Sequence, residues 1–422
     1  MLTRRMLLRG SAVVVTGMGS TPGWLARAAE ADSAAKANSK PRRRVLIVIF
    51  QRGAADGLNI VIPFAERRYY EMRPVIAVPP PSGIRPGANP GVFGPSQPAI
   101  DLDGRFGLHS ALEPLKPLWD RRELAIVEAA GSPDPSRSHF DAQDYMESGV
   151  PGKTVGDGWL NRALPLVTPG TSPLRAISTS AQLPHTLRGD HPAIAIGAAQ
   201  QMQLSNQDAS NIFERMYASS ADQRMEQDGK DAFAALKMLN TVNRAAPDPS
   251  AAMPYQQGGE LGRNLQQIAR LIKADVGVEA AFAELDGWDH HGNEGPQLTN
   301  MLRQFGNAIA AFSTDMGDRM EDVILVTMSE FGRTAEENGT GGTDHGHGNL
   351  MMVVGGSVDG GKIFGEWPGL EREQLNEGRD LKVTTDFRTV LTELITAQMG
   401  QKDLARVFPG FTPAAPLGLL RA

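Results

Sequence analysis

The 422-residue sequence contains no cysteine. That absence excludes disulfides, thiolate-held metals and a cysteine nucleophile together, so any metal must be held by oxygen and nitrogen. There is also no long basic run. With a net charge of −6, the chain has no stripe able to neutralise a nucleic-acid backbone, which excludes nucleic acid as a partner. Past the N-terminus no apolar stretch approaches the length of a bilayer span, so the mature chain is expected to lack a membrane helix. Internal repeats are missing too. Apolar residues at 41% and charged residues at 21% are otherwise an ordinary globular composition.

What is present begins with Thr3-Arg4-Arg5-Met6-Leu7-Leu8-Arg9, an arginine pair set directly before apolar residues. It resembles the twin-arginine export signature. The apolar run from Ser11 to Leu25 is broken by Gly17, Gly19, Pro22 and Gly23, too short and interrupted to span a bilayer, and Ala26-Arg27-Ala28 offers the small residues a signal peptidase reads. The expected organisation is a signal peptide over 1–29, a polar linker over 30–43 and a mature domain over 44–422. The twin-arginine translocase would be the partner during export, and the destination periplasmic or secreted. About 380 residues then remain, enough for one large α/β domain or two smaller ones.

Val45 to Phe50 is a continuous β-branched run of the kind buried on both faces of a sheet. Further strand-like runs are Leu124 to Val127, Asp322 to Met328 and Leu350 to Val354. Leu298, Met301, Leu302, Phe305, Ile309 and Phe312 recur at helical spacing, and Leu261, Leu265, Ile268 and Ile272 do so more weakly. Helices alternating with buried strands predict a doubly wound three-layer α/β/α sandwich. The polar stretch 200–258 reads as a helical insertion or cap, and the Pro- and Gly-rich stretch 79–98 as a surface loop.

Polar clusters follow or flank these strands, where open α/β sheets place ligands. Four of the eight histidines fall in Asp289-His290-His291 and Asp344-His345-Gly346-His347. Imidazole and carboxylate ligands suit a divalent metal such as zinc or manganese. Asp286 with His290, or Asp289 with His291, could supply them. Glu330, at the end of an apolar strand, needs either a metal or Arg333 to offset its charge. Asp56, beside Gly57, is a further ligand or a turn-former. In Ser136-Arg137-Ser138-His139, Arg137 suits a tetrahedral oxyanion. Ser138 or Ser136 is either a nucleophile or the cap of a helix beginning at Phe140.

The segments Gln51 to Asn59, Arg137-Ser138-His139-Phe140, Gly287-Trp288-Asp289 with His291, Ser329-Glu330-Phe331-Gly332-Arg333-Thr334 and Gly342-Thr343-Asp344-His345-Gly346 resemble, in order, the motifs of the DUF1501 family. The resemblance runs from about Arg44 to Val407-Phe408-Pro409-Gly410. At the position before His291, where threonine is expected, this chain has His290, which leaves open whether His290 or only His291 is a ligand. The family is in turn similar to the alkaline phosphatase and sulfatase-like superfamily. That resemblance implies an alkaline-phosphatase-like fold and a metal-dependent hydrolase of phosphate or sulfate esters. Its metal ligands would be Asp56, Asp289, His291, Glu330, Asp344, His345 and His347. Arg137 would hold the anionic ester, Ser138 or a hydroxide supplied at the metal would attack, and His139 would assist. Pro133 stands where sulfatases carry their nucleophile, against a standard sulfatase. The alternatives are a non-catalytic exported binding protein on the same fold and a metal-dependent isomerase or mutase.

Overall fold

The computed structural model describes residues 43–84, 97–168, 170–197, 223–244 and 249–421. The expected signal peptide, all of the linker but its last residue, the middle of the 79–98 loop and the start of the 200–258 stretch lie outside them. The fold is a mixed sheet with helices on both faces. Its strands are β1 (Val45–Arg52), β5 (Leu124–Gly131), β6 (Ala176–Ser178), β7 (Ile194–Ala195), β8 (Ala280–Asp286), β9 (Val323–Ser329), β10 (Asn349–Gly355), β11 (Lys362–Phe364) and β12 (Thr385–Asp386). They run in the order β11-β5-β10-β9-β1-β8-β6-β7, with β12 beside β5. A small separate sheet is built from β2 (Val61–Ile62), β3 (Ile100–Asp101) and β4 (Gly107–Leu108).

Alternation along β1 divides the core in two. Val45, Ile47 and Ile49 enter one apolar cluster, and Leu46, Val48 and Phe50 enter the other. The longer helices are α1 (His139–Ser148), α2 (Gln223–Arg244), α3 (Pro249–Gln257), α4 (Gly259–Lys273), α5 (Glu294–Met316) and α6 (Phe387–Met399). The first cluster includes Leu261, Leu265 and Ile268 of α4 and Leu298, Leu302, Phe305 and Ile309 of α5. The second includes Phe387, Val390, Leu391 and Leu394 of α6. With both faces buried, an alternating polar residue has no place in β1, which is why its sequence is a continuous apolar run. Each such side chain contributes about 1.5–3 kcal/mol through its removal from water. Ala235 and Leu239 of α2 and Tyr255 of α3 join the first cluster, so the described part of the 200–258 stretch adds to the core.

The direction of the strands determines where the functional loops meet. β1 is parallel to β8 and β9, whereas β10 is antiparallel to both of its neighbours, β9 and β5. Segments that follow β1, β5, β8 and β9 therefore leave at one edge of the sheet, and the segment that precedes β10 arrives at the same edge. The register agrees: Gln51 lies opposite Ser329, Arg52 opposite Asp286, and Asn349 opposite Ala130. β1, β5, β9 and β10 match the four runs legible in the sequence, whereas the central strand β8 and the short strands have no counterpart among them.

Candidate metal centre

Loops from four strands meet at this edge. After β5 come Arg137, Ser138 and His139, the last opening α1. After β8 come Asp289 and His291, after β9 Glu330 and Arg333, and before β10 Asp344 and His345. Gly53, just past β1, lets them close. Its φ is +112°, and a Cβ there would lie 2.7 Å from the Asp289 nitrogen, so no other residue fits without moving the Asp289 loop. Its N–H donates to Glu330 Oε1 at 2.8 Å.

Three imidazoles turn the same nitrogen inward. His139 Nε2 and His345 Nε2 are 3.0 Å apart, and His291 Nε2 and His345 Nε2 3.1 Å apart. Asp289 lies among them: Oδ1 is 3.0 Å from His291 Nε2 and 3.3 Å from His345 Nε2, and Oδ2 is 3.5 Å from His139 Nε2. His139, Asp289 and His345 bring their ligand atoms within 4.8 Å of one another, a group that could hold a metal ion.

The outer nitrogens explain why the inner ones face each other. His345 Nδ1 lies 2.9 Å from the Arg137 carbonyl oxygen, which only accepts, so Nδ1 carries the hydrogen and Nε2 of the neutral ring carries the lone pair. His139 Nδ1 donates to Glu330 at 2.8 Å and His291 Nδ1 to Asp344 at 3.1 Å. Facing lone pairs at about 3 Å repel unless a positive charge lies between them. One proton can serve a single pair, whereas His345 Nε2 faces two rings and a carboxylate at once. A metal cation satisfies all of them, and carboxylate or carbonyl partners on the outer nitrogens are the usual way ligating imidazoles are fixed.

Glu330 is saturated in this role. Oε1 accepts from Gly53 N, His139 Nδ1 and Gln143 Nε2, each at 2.8 Å, and Oε2 accepts from Ser329 Oγ at 3.1 Å. Burial alone would raise its pKa, but these donors hold it below the ordinary carboxylate value. The bond from Glu330 in turn raises the pKa of His139. Asp344 is held low first by Asn338 Nδ2 and then by His291. Burial would raise Asp289 as well, and Arg333 together with the imidazoles lowers it. Burial pushes His345 down, which favours its neutral form.

The other expected residues stand elsewhere. Asp56 does not reach the cluster: it is buried in a two-pronged ion pair with Arg73, at 2.5 and 3.0 Å. Arg73 also donates to the carbonyls of Ala335 and Thr334, tying the Asp56 loop to the segment after Arg333. Beside this pair Glu294, wholly buried, accepts from Asn59 and Thr343, and burial followed by the Asp56 charge pushes its pKa well up. The His347 ring has Asp380 and Arg137 as charged neighbours, and burial lowers its pKa. Ser138 caps α1, its Oγ accepting from Asp141 N at 3.5 Å. Arg137 gives its guanidinium to Asp380 and Glu377 while its carbonyl orients His345. Of the two adjacent histidines, His291 reaches the cluster, whereas His290 is buried and bonds to the Gly287 backbone. Arg73, Glu294 and Gln143 carried no signal, since each is isolated in the chain from the partners it meets.

No curated protein matches the chain. Among solved structures it is similar to a protein in the alkaline phosphatase superfamily from Vibrio parahaemolyticus (9% identity, TM-score 0.32, covering 77% of this chain and 63% of that one). It is also similar to alkaline phosphatase from the Antarctic bacterium TAB5 (11% identity, TM-score 0.30, covering 75% and 91%) and to Thermus thermophilus alkaline phosphatase (15% identity, TM-score 0.28, covering 70% and 61%). The chain thus spans less than two thirds of the length of the first and third. Residues 124–409, more than half of the 422, match the family described as "Protein of unknown function (DUF1501)" and include the His139, Asp289, His291 and His345 cluster. The chain belongs to the DUF1501 family.

Proposed function

We propose that this protein is an exported metal-dependent hydrolase of phosphate or sulfate esters, with its metal centre at His139, Asp289, His345 and the adjoining His291. The observation that carries the reading is the convergence of three Nε2 lone pairs on one carboxylate, each ring fixed from behind by an acceptor. Nitrogen and oxygen donors of this kind suit zinc, with manganese as the second choice. A divalent ion bound there would polarise an ester oxygen and stabilise the negative charge that develops on it. The chain's own residues do the rest. Glu330, Asp344 and the Arg137 carbonyl hold the rings in one tautomer, and Asp289 supplies the anionic ligand. Asp289 and His291 are about half exposed, which leaves an approach from solvent. Ser138 is committed to capping α1 in this state, so the reading does not depend on it as nucleophile.

The test is metal analysis of protein purified without a polyhistidine tag, together with a screen of chromogenic phosphate and sulfate monoesters and diesters. Stoichiometric metal, lost in His345→Ala along with ester turnover, supports the reading. Protein that carries no stoichiometric metal, with His345→Ala changing neither stability nor activity, overturns it. Stoichiometric metal with no ester turnover favours the alternative, an exported binding protein on the same fold.

A further inference from the structure

Arg333 is the arginine of this edge whose donors the fold leaves without a directed hydrogen bond among the described residues. The guanidinium has five N–H donors and can lose none of them. Its side chain is fully buried, and Nε, Nη1 and Nη2 all lack a hydrogen-bond partner. Asp289 Oδ1 lies 2.8 Å from Nη1, close enough for an ion pair but out of line with the hydrogens, so attraction is present and a directed bond is not. The neighbouring arginines differ. Arg137 is bonded to Asp380 and Glu377, Arg379 to Asp380, and Arg73 to Asp56 and two carbonyls.

We infer that Arg333, and not Arg137, is the anion clamp of this site, its fork taking oxygens of a small tetrahedral oxyanion such as phosphate or sulfate. A buried guanidinium without aligned acceptors is costly, and a ligand that supplies two oxygens in one plane removes that cost in the working state. Entry is through Asp289. That carboxylate is 40% exposed, so an anion arriving from solvent exchanges with Oδ1 at Nη1 and lands beside the three Nε2 atoms. The backbone fixes Arg333 there: it bridges to His345, and a Cβ on Gly346 would collide with the Arg333 main chain. This inference deepens the hydrolase reading and rests on it for the metal, but not for the identity of the arginine.

The experiment is calorimetric titration of zinc-loaded wild type, Arg333→Gln, Arg333→Lys and Arg137→Gln with inorganic phosphate and, separately, with sulfate. Zinc content and circular dichroism are recorded for each protein. Expected is a loss of at least tenfold in anion affinity in Arg333→Gln and a smaller loss in Arg333→Lys, both with zinc content unchanged. Arg137→Gln should bind within about threefold of wild type. The inference is overturned if folded, zinc-loaded Arg333 variants bind both anions as wild type does, if Arg137→Gln alone loses them, or if wild type binds neither. Should the Arg333 variants not fold, a crystal structure of wild type with phosphate decides: the anion at Arg333 supports the inference, and an anion elsewhere overturns it. Wild type that takes up neither zinc nor manganese removes the hydrolase reading instead, and the same titration of metal-free protein still judges Arg333.

Discussion

Glu330→Gln isolates the claim that the imidazoles are held as metal ligands from behind. The amide has the shape of the carboxyl, so its oxygen can take the place of Oε1 and keep Gly53 N, His139 Nδ1 and Gln143 Nε2 as donors. Its NH2 then meets Ser329 Oγ, which has the Gln51 carbonyl to donate to and can accept. The fold survives and the negative charge does not. Bonds to a charged acceptor are about twice as strong as neutral ones, and losing such an outer partner typically weakens metal binding 10–100-fold, or about 1.4–2.7 kcal/mol. Zinc affinity is read by competition with a fluorescent chelator. Chemical unfolding gives a second reading. At free zinc about 100 times the wild-type Kd, bound metal adds about 2.7 kcal/mol to wild type, and only about 0.9 kcal/mol to a variant about 30 times weaker. Asp344→Asn should lose less, because Asp344 is 60% exposed and water can replace it. If Glu330→Gln binds zinc within twofold of wild type, the account of how His139 is held fails.

Three other expectations follow from the fold and the N-terminus. Arg73→Met leaves Asp56 charged, buried and unpaired, and should cost about 3–5 kcal/mol in urea unfolding; Arg73→Met with Asp56→Asn should cost less than Arg73→Met alone, and a single-variant loss below about 1 kcal/mol would contradict the pairing. Glu128 is buried with Oε1 unpartnered, and burial holds its pKa well above the ordinary 4.5. Its neutral form is the folded one, so its contribution is intact below pH 4.5 and declines as pH rises from there toward the raised folded value. Glu128→Gln should therefore match wild type in unfolding midpoint near pH 4.5 and exceed it at pH 8, and parallel pH profiles would count against this. Finally, Arg4→Lys with Arg5→Lys should strand a folded precursor in the cytoplasm on cell fractionation; efficient export of that double variant would remove the twin-arginine reading.

What the sequence made legible depended on the kind of constraint. β1, β9 and β10 are buried on both faces, and that condition writes itself as continuous runs of Val, Ile, Leu and Met. β8 is equally central, yet reads Ala-Ala-Phe-Ala-Glu-Leu-Asp. Its alanines carry little strand preference, and its closing acids serve the edge, with Glu284 pairing Arg52. The histidine clusters stood out by density, but density could not assign roles. Asp344 and His345 are adjacent, yet one anchors a neighbouring ring and the other offers a ligand nitrogen. His139 was placed with the reacting groups because it neighbours Arg137 and Ser138 in the chain; the sheet instead sets its inner nitrogen against His345, 206 residues away. Asp56 and Arg73 show the limit most plainly. An ion pair of residues 17 apart, with no periodicity between them, leaves no pattern to read.

Because β10 runs against its neighbours, the last pieces of the cluster are delivered by the segment that leads into it, after β5, β8 and β9 have all been synthesised. No partial chain holds the full set of rings, and closing a loop of some two hundred residues is a slow, entropy-limited event. An ion presented to the nascent chain therefore finds at most scattered imidazoles, and only the finished sheet gathers them. Tight zinc uptake should thus appear late in refolding, as a marker that this molecule has reached its native topology.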